Sequence, residues 1–145
     1  ASGEVVSLTS SDISILSSHT LPIQGPLHAC AAPATARSAL ACLESDRTPS
    51  MHLLDLNLQG EETAQAPMPP SWPCRTAPTL AASSCVVYAA GGYGQTGPSK
   101  LAWASSDGKS WQSLPELPNG CSHLALVAFG STLVACGGIT AGGDK

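Results

Sequence analysis

An internal repeat constrains the fold of this chain more than any other feature of its sequence. Three apolar runs of five residues end on a small residue, at Cys42, Ala90 and Cys136, and so recur every 46 to 48 residues. The second and third runs are each followed by a glycine pair, Gly91-Gly92 and Gly137-Gly138. A period of this length is typical of repeat architectures, in which one supersecondary unit packs against the next. The sequence therefore predicts a series of similar units.

A second landmark recurs with the same period. Prolines stand 48 residues apart at Pro22, Pro70 and Pro118. The positions seven residues before these prolines are occupied by Ile15, Thr63 and Trp111. Because two independent landmarks share one period, the repeat is hard to attribute to chance.

Each unit contains four short extended stretches separated by turn residues. Where they are clearest, the stretches are 80–84, 85–90, 101–105 and 110–114. Asp107-Gly108 between the last two is a strong hairpin signal. No stretch has a sustained period of 3.6 residues, and twelve prolines and fourteen glycines disfavour helices. We therefore expect an all-β chain of four-stranded antiparallel sheets, which is the make-up of a propeller blade.

The best-preserved unit carries a recognisable motif. Residues 89–93 read Ala-Ala-Gly-Gly-Tyr, and they are followed by Trp111 and by Leu-Pro-Glu-Leu-Pro at 114–118. This pattern resembles the kelch motif, and residues 120–138 resemble the first two strands of the next kelch unit. The resemblance implies kelch-type β-propeller blades. Independently, glycine pairs permit close backbone approach, and a tryptophan on an outer strand supplies an apolar wedge between neighbouring sheets.

The repeat divides the chain, as one propeller region over residues 1–145, into four segments. Leu43-Glu44 replaces the glycine pair in the second of them, which we therefore regard as degenerate. The segments are strands three and four of a split blade (1–24), the degenerate blade (25–70), the best-preserved blade (71–118) and strands one and two of a split blade (119–145).

Two half blades and two whole blades make three, whereas closed propellers have about 4–8. An open arc would expose apolar faces and unpaired strand edges. We therefore expect the ring to be completed to six blades. The remaining blades would come from a second copy in a two-fold homodimer, with the C-terminal strands of one chain pairing with the N-terminal strands of the other, or from a sister chain.

The resemblance also implies binding residues. Kelch propellers mostly bind partners through loops at one end of the channel, and members that capture peptides use an arginine opening the first strand and a tyrosine after the glycine pair. Arg75 and Tyr93 occupy those positions here. Gln95 and Lys100 lie in the polar loop after Tyr93, and the tail from residue 140 is expected on the same rim. We predict that these residues bind a protein or peptide partner.

Two other functions remain open at this stage. The blades could serve as a structural subunit within a larger assembly. Alternatively, Trp72 and Trp103 have no counterparts in the repeat, and such tryptophans, if exposed, could stack on sugars in a carbohydrate-binding propeller.

Charge and hydropathy exclude some partners. The formal net charge is −4 and the six Lys and Arg residues are scattered, so we expect no nucleic-acid partner. No apolar run approaches the roughly 20 residues of a membrane-spanning helix, so we expect no membrane partner. A cytoplasmic location is expected, with a secreted chain whose signal has been removed as the alternative. The six cysteines are interpreted as small buried thiols, with disulfides left open.

No catalytic or metal-binding pattern emerges. His28 and Cys30, and likewise Cys121 and His123, could each offer two zinc ligands on one strand face. The kelch resemblance instead implies that His123 packs in a first strand. The sequence has no Gly-x-Ser-x-Gly elbow, and its four histidines fall at unrelated positions of the repeat. We therefore expect no enzyme activity, no cofactor and no metal.

Overall fold

The computed structural model contains β-strands and no helix among the residues that it describes. Within that part of the chain, accordingly, no helix is long and apolar enough to cross a membrane. The predicted all-β class is confirmed there. The described residues are 2–8, 15–24, 27–31, 38–45, 48–55, 61–72, 76, 78–130 and 132–142.

Two antiparallel sheets of four strands follow one another along the chain, and in each sheet every strand pairs with the next one. The first sheet contains β3 (Leu27–Ala31), β4 (Ser38–Ser45), β5 (Thr48–Asp55) and β6 (Glu61–Ala66). The second sheet contains β7 (Thr79–Ala82), β8 (Val87–Ala90), β11 (Ala102–Ser105) and β12 (Gln112–Ser113). The four stretches predicted between residues 80 and 114 are thus confirmed as the strands of the second sheet.

Three two-stranded elements accompany these sheets. The N-terminal ribbon consists of β1 (Ser2–Leu8) and β2 (Ile15–Gln24). A short hairpin of β9 (Tyr93–Gly94) and β10 (Gly97–Pro98) lies between β8 and β11 in the chain. The C-terminal hairpin consists of β13 (Ala125–Phe129) and β14 (Thr132–Cys136).

Both glycine pairs adopt a left-handed backbone. The φ angles are +74° at Gly91 and +100° at Gly92, and +66° at Gly137 and +91° at Gly138. Only glycine takes such angles without a steric penalty. Each pair directly follows the second strand of its unit, so the sequence position of these glycines reflects a backbone requirement.

The first and second sheets pack face to face. Trp111, the residue before β12 in the second sheet, packs against the apolar cluster between the two sheets and donates its indole Nε1–H to the carbonyl oxygen of Pro67 at 3.0 Å. Trp111 therefore lies between neighbouring sheets, as predicted. Each fully buried aliphatic side chain in such a cluster contributes about 1.5–3 kcal/mol. The buried members are Leu40, Cys42, Met51, Ala66, Leu80, Val87 and Ala89.

The opposite face of the second sheet packs against the C-terminal hairpin. Hydrogen bonds also cross this boundary. The hydroxyl of Thr79 donates to the carbonyl oxygen of Leu124 at 3.0 Å, and the N–H of Gly92 donates to that of Cys121 at 3.1 Å. Alternate residues of β7 and β8 thus face different neighbours, so the second sheet is buried on both faces. The buried members of this cluster are Ala81, Ala90, Ala102, Leu124 and Leu126.

Successive units repeat their hydrogen bonds as well as their strands. The backbone N–H of Thr76 donates to the carbonyl oxygen of Tyr93 at 3.2 Å. The N–H of Ser122, 46 residues further on, donates to the carbonyl oxygen of Ile139 at 3.1 Å. The first strands β3, β7 and β13 lie side by side. The period seen in the sequence is therefore a period of the backbone.

Candidate functional site

The β9–β10 hairpin projects beyond the end of β8 and is held in place at its base. The N–H of Tyr93 donates to the hydroxyl of Thr76 at 2.7 Å, which adds to the backbone bond between these residues. The N–H of Ser99 donates to the carbonyl oxygen of Gly92 at 2.8 Å. At the start of β10, Gly97 has φ +114°, an angle that suits glycine alone. The hairpin is therefore a rigid support for its exposed side chains.

A cleft of about 460 Å³ opens beside this hairpin. Three separate segments form it: the hairpin and the residues after it, the turn that precedes the C-terminal hairpin, and the chain that follows β14. Loop residues converging on a rigid scaffold are a common arrangement for binding sites. The cleft is lined by Thr96, Pro98, Lys100, Asn119, Gly120, Thr140, Ala141 and Gly142.

Backbone contacts set the shape of the cleft wall. The N–H of Cys121 donates to the carbonyl oxygen of Ser99 at 3.0 Å, and that of Leu117 donates to the carbonyl oxygen of Lys100 at 2.8 Å. Gly120 lies so close to the carbonyl oxygen of Pro98 that a Cβ atom at position 120 would collide with it. The absence of a side chain at Gly120 is therefore required for the two segments to meet.

The chemistry of the cleft is polar with one positive charge. Lys100 is exposed and is the single charged side chain among the residues that line it. Thr96, Asn119 and Thr140 add neutral hydroxyl and amide groups, which donate and accept hydrogen bonds. A ligand with a carboxylate and backbone amides matches this set.

One of the predicted binding residues lines the cleft. Lys100 lines the cleft, whereas Tyr93, which is 48 % exposed, and Gln95 lie on the same hairpin outside its lining. Arg75 lies outside the described residues. Residues 140–142 of the tail also line the cleft, and residues 143–145 lie outside the described residues.

Asn119 and Gly120 were not predicted as site residues. The sequence marks them only as the end of a proline-rich turn, and their role in the cleft depends on the approach of that turn to Pro98.

The two tryptophans without repeat counterparts contact each other. Their ring centroids are 4.7 Å apart, and Trp103 is only 4 % exposed. Trp103 pairs across strands with Ala89, so it points toward the first sheet. The alternative in which Trp103 is exposed and stacks on a sugar is therefore excluded, because neighbouring residues cover its ring. Trp72 is half-buried against it.

Potential metal-binding and reactive groups are dispersed. Among the described residues, no group of three or more His, Cys, Asp or Glu side chains could hold a metal ion. His123 is exposed, with φ +55°, so its expected packing in a first strand is wrong. The interpretation of the cysteines as buried thiols holds for Cys42 but is wrong for Cys85 and Cys136, whose thiols are free and exposed.

The Asp107 carboxylate has a structural role in the turn between β11 and β12. It accepts the backbone N–H groups of Ser110 at 2.7 Å and Lys109 at 2.8 Å, and the Ser110 and Ser105 hydroxyls. These bonds, led by the one from the Ser110 backbone, hold the pKa of Asp107 well below its ordinary value. The carboxylate thus stabilises the hairpin that the sequence Asp107-Gly108 predicted.

Comparison of the chain with protein-family models and with curated proteins found no match.

Proposed function

We propose that this chain is a segment of a kelch-type β-propeller that binds a protein or peptide partner without catalysis. The observation that carries the proposal is the cleft in which the hairpin residues around Pro98, the turn at Gly120 and the tail at Gly142 converge. A rigid scaffold with a polar, loop-lined cleft at one end is suited to recognition.

The propeller assignment is supported by three features. Four-stranded antiparallel sheets follow each other in chain order. Their first strands lie side by side, as the inner strands of blades do around a channel. The glycine pairs allow each sheet to approach the next closely, as Gly91 does at Leu124. In the complete ring, a second copy or a sister chain would supply the further sheets.

The chemistry of the cleft favours a partner segment with acidic character. Lys100 provides a single positive charge for a carboxylate, and Tyr93 offers an exposed aromatic ring on the adjoining hairpin. The hydroxyl and amide groups of Thr96, Asn119 and Thr140 suit the backbone of an extended peptide.

The test is a selection from a phage-displayed library of random peptides against the immobilised 145-residue protein. Selected peptides are then measured by fluorescence polarisation against K100E and K109E. Both variants reverse one exposed lysine charge, but Lys109 lies in the β11–β12 turn and does not line the cleft. We expect peptides enriched in Asp and Glu, and a loss of affinity of about tenfold or more in K100E alone, because a hydrogen bond to a charged group contributes about 1.5–3 kcal/mol.

Failure to enrich any peptide would refute the proposal, as would equal binding to K100E and K109E.

A structural role within a larger assembly is the second candidate. It is favoured by the exposed apolar side chains of Val127, Phe129 and Val134 on the C-terminal hairpin. Under that alternative, the chain copurifies with sister subunits and the peptide selection fails.

A further inference from the structure

The dipeptide Asn119-Gly120 lies in the wall of the cleft, in the bend between β12 and the C-terminal hairpin. The Asn119 side chain is exposed, and among the described residues its amide makes no hydrogen bond. The backbone N–H of Gly120 likewise has no acceptor in the part of the chain that the structure describes. The two groups are therefore free to react with each other.

An asparagine that precedes a glycine can lose its side-chain amide without an enzyme. The Gly120 nitrogen gives up its proton and attacks the side-chain carbonyl carbon of Asn119. A new C–N bond forms, the bond to the amide nitrogen breaks, and ammonia leaves. Water then opens the resulting five-membered imide and leaves aspartate or isoaspartate at position 119. Glycine permits the attack best, because it has no Cβ to obstruct the approach and its backbone turns freely.

The fold requires the glycine of this pair but not the asparagine. A Cβ at position 120 would collide with the carbonyl oxygen of Pro98. Asparagine is common in turns partly because it tolerates a left-handed backbone. Among the described residues, however, Asn119 is not one of those with a positive φ. The amide side chain is therefore not needed to shape the bend.

The exposure of this position is a property of the repeat. Position 119 corresponds to Ser71, which lies 48 residues earlier and, like Asn119, follows the last proline of its unit. Ser71 is also exposed, although the second sheet and the C-terminal hairpin follow it in the chain. Packing of a following unit thus leaves this position open to water.

Hydrogen bonds hold both ends of the bend. The N–H of Leu117 donates to the carbonyl oxygen of Lys100 at 2.8 Å, and that of Cys121 donates to the carbonyl oxygen of Ser99 at 3.0 Å. Formation of aspartate leaves the main chain between these anchors unchanged. Isoaspartate adds one carbon atom to it, and because Gly120 has no room beside Pro98, that product should displace the cleft wall.

Either product changes the charge of the cleft. Lys100 is the single charged side chain among the residues that line it. The Lys100 side chain lies beside the bend, since its Cγ would be 3.6 Å from a Cβ at position 120. A carboxylate at position 119 would therefore attract the Lys100 ammonium group and compete with a carboxylate of a ligand for it.

We propose that Asn119-Gly120 is a site of spontaneous deamidation, which places a carboxylate next to Lys100 and lowers the affinity of the cleft for acidic partner segments. The modification follows from the bend itself, and only its effect on binding rests on the proposed function.

The test incubates the 145-residue protein at mildly alkaline pH and follows residue 119 by mass spectrometry of tryptic fragments. The chain contains one other asparagine, Asn57, which precedes Leu58 and serves as an internal control. We expect the fragment 110–145 to gain the mass difference between an acid and an amide, while the fragment 48–75 with Asn57 stays unchanged. Conversion should be slower at mildly acidic pH, because the attacking nitrogen must lose its proton. An isoaspartyl methyltransferase should label the converted fragment.

Two variants connect the modification to binding. N119D carries the carboxylate of the product, whereas N119Q keeps a neutral amide whose longer side chain closes the ring more slowly. The probes are the fluorescein-labelled acidic peptides that the phage selection yields on fresh wild-type protein. N119D should bind them about fivefold more weakly, the size of effect expected for an exposed charge pair. N119Q should resist conversion and bind them like the wild type.

Two results would overturn the modification. One is equal conversion of Asn119 and Asn57. The other is a native protein that keeps Asn119 intact while the urea-unfolded chain loses it, since the fold would then protect the site. Equal affinity of N119D and N119Q for peptides that bind the wild type would refute the effect on the cleft. A selection that yields no peptide would refute the proposed function instead, and the mass measurement would still decide whether residue 119 is modified.

Discussion

Replacing Gly91 by alanine should destabilise the protein considerably more than the same change at Gly137. At both positions the left-handed backbone, with φ +74° and +66°, costs an alanine about 1–2 kcal/mol. At Gly91 the new Cβ would also come within 2.5 Å of Leu124 Cδ2 and 2.6 Å of the carbonyl oxygen of Cys121. That oxygen accepts the N–H of Gly92, so the backbone cannot retreat without weakening this bond.

The steric contribution can be isolated from this pair. Overpacking of a filled site costs about 1–3 kcal/mol, which brings the total for G91A to about 2–5 kcal/mol. No atom lies within 4 Å of a Cβ at Gly137, so G137A should lose only the backbone contribution of about 1–2 kcal/mol. Because both changes are glycine to alanine, their effects on the unfolded chain are closely similar.

The assay is urea unfolding followed by circular dichroism, with the free energy of unfolding compared at equal m values. G91A should be less stable than G137A by about 1–3 kcal/mol. Equal stability of the two variants would refute the reasoning, since it would mean that no neighbouring unit crowds Gly91 in solution.

Three further changes test the contacts that join the sheets and their turns. W111F keeps an aromatic ring but loses the indole hydrogen bond to Pro67, and it should lower the free energy of unfolding by about 0.5–1.5 kcal/mol. An unchanged free energy of unfolding in urea would show that this bond does not stabilise the protein. W103A should cost about 3–5 kcal/mol in the same assay, because the side chain is buried, and a loss typical of an exposed residue would contradict its position. The pKa of Asp107 is lowered by the Ser110 backbone, so its stabilisation is full above its unfolded pKa of about 3.9 and declines as the pH falls toward the lower folded value. The decrease in melting temperature on acidification should therefore be smaller in D107N than in the wild type. Identical curves of melting temperature against pH for the two proteins would show that the Asp107 carboxylate does not stabilise the fold.

Local sequence patterns predicted the strands of the second sheet well. Apolar runs and turn residues between 80 and 114 indicated four strands, and the structure contains four there. The hairpin signal at Asp107-Gly108 was reliable because the Asp107 side chain bonds to the backbone of its own turn. Such interactions involve residues close in the chain, so the sequence alone reveals them.

The candidate site was only partly predictable. Lys100 was predicted as a binding residue because it lies in a polar loop after a strand, and it lines the cleft. Asn119 and Gly120 gave no sign of a site, since they line the cleft only where their turn approaches Pro98.

The sequence by itself determined the period of this protein, its all-β class and the positions of its two glycine pairs. These properties follow from local backbone preferences and from the alternation of apolar residues, which act over a few residues. The tertiary structure alone decided which faces are covered. Trp103 is buried, and His123 is exposed against expectation, because burial depends on the neighbouring sheet or segment and not on the residue type. The cleft likewise arises from contacts between segments of different units, and these contacts join residues far apart in the chain.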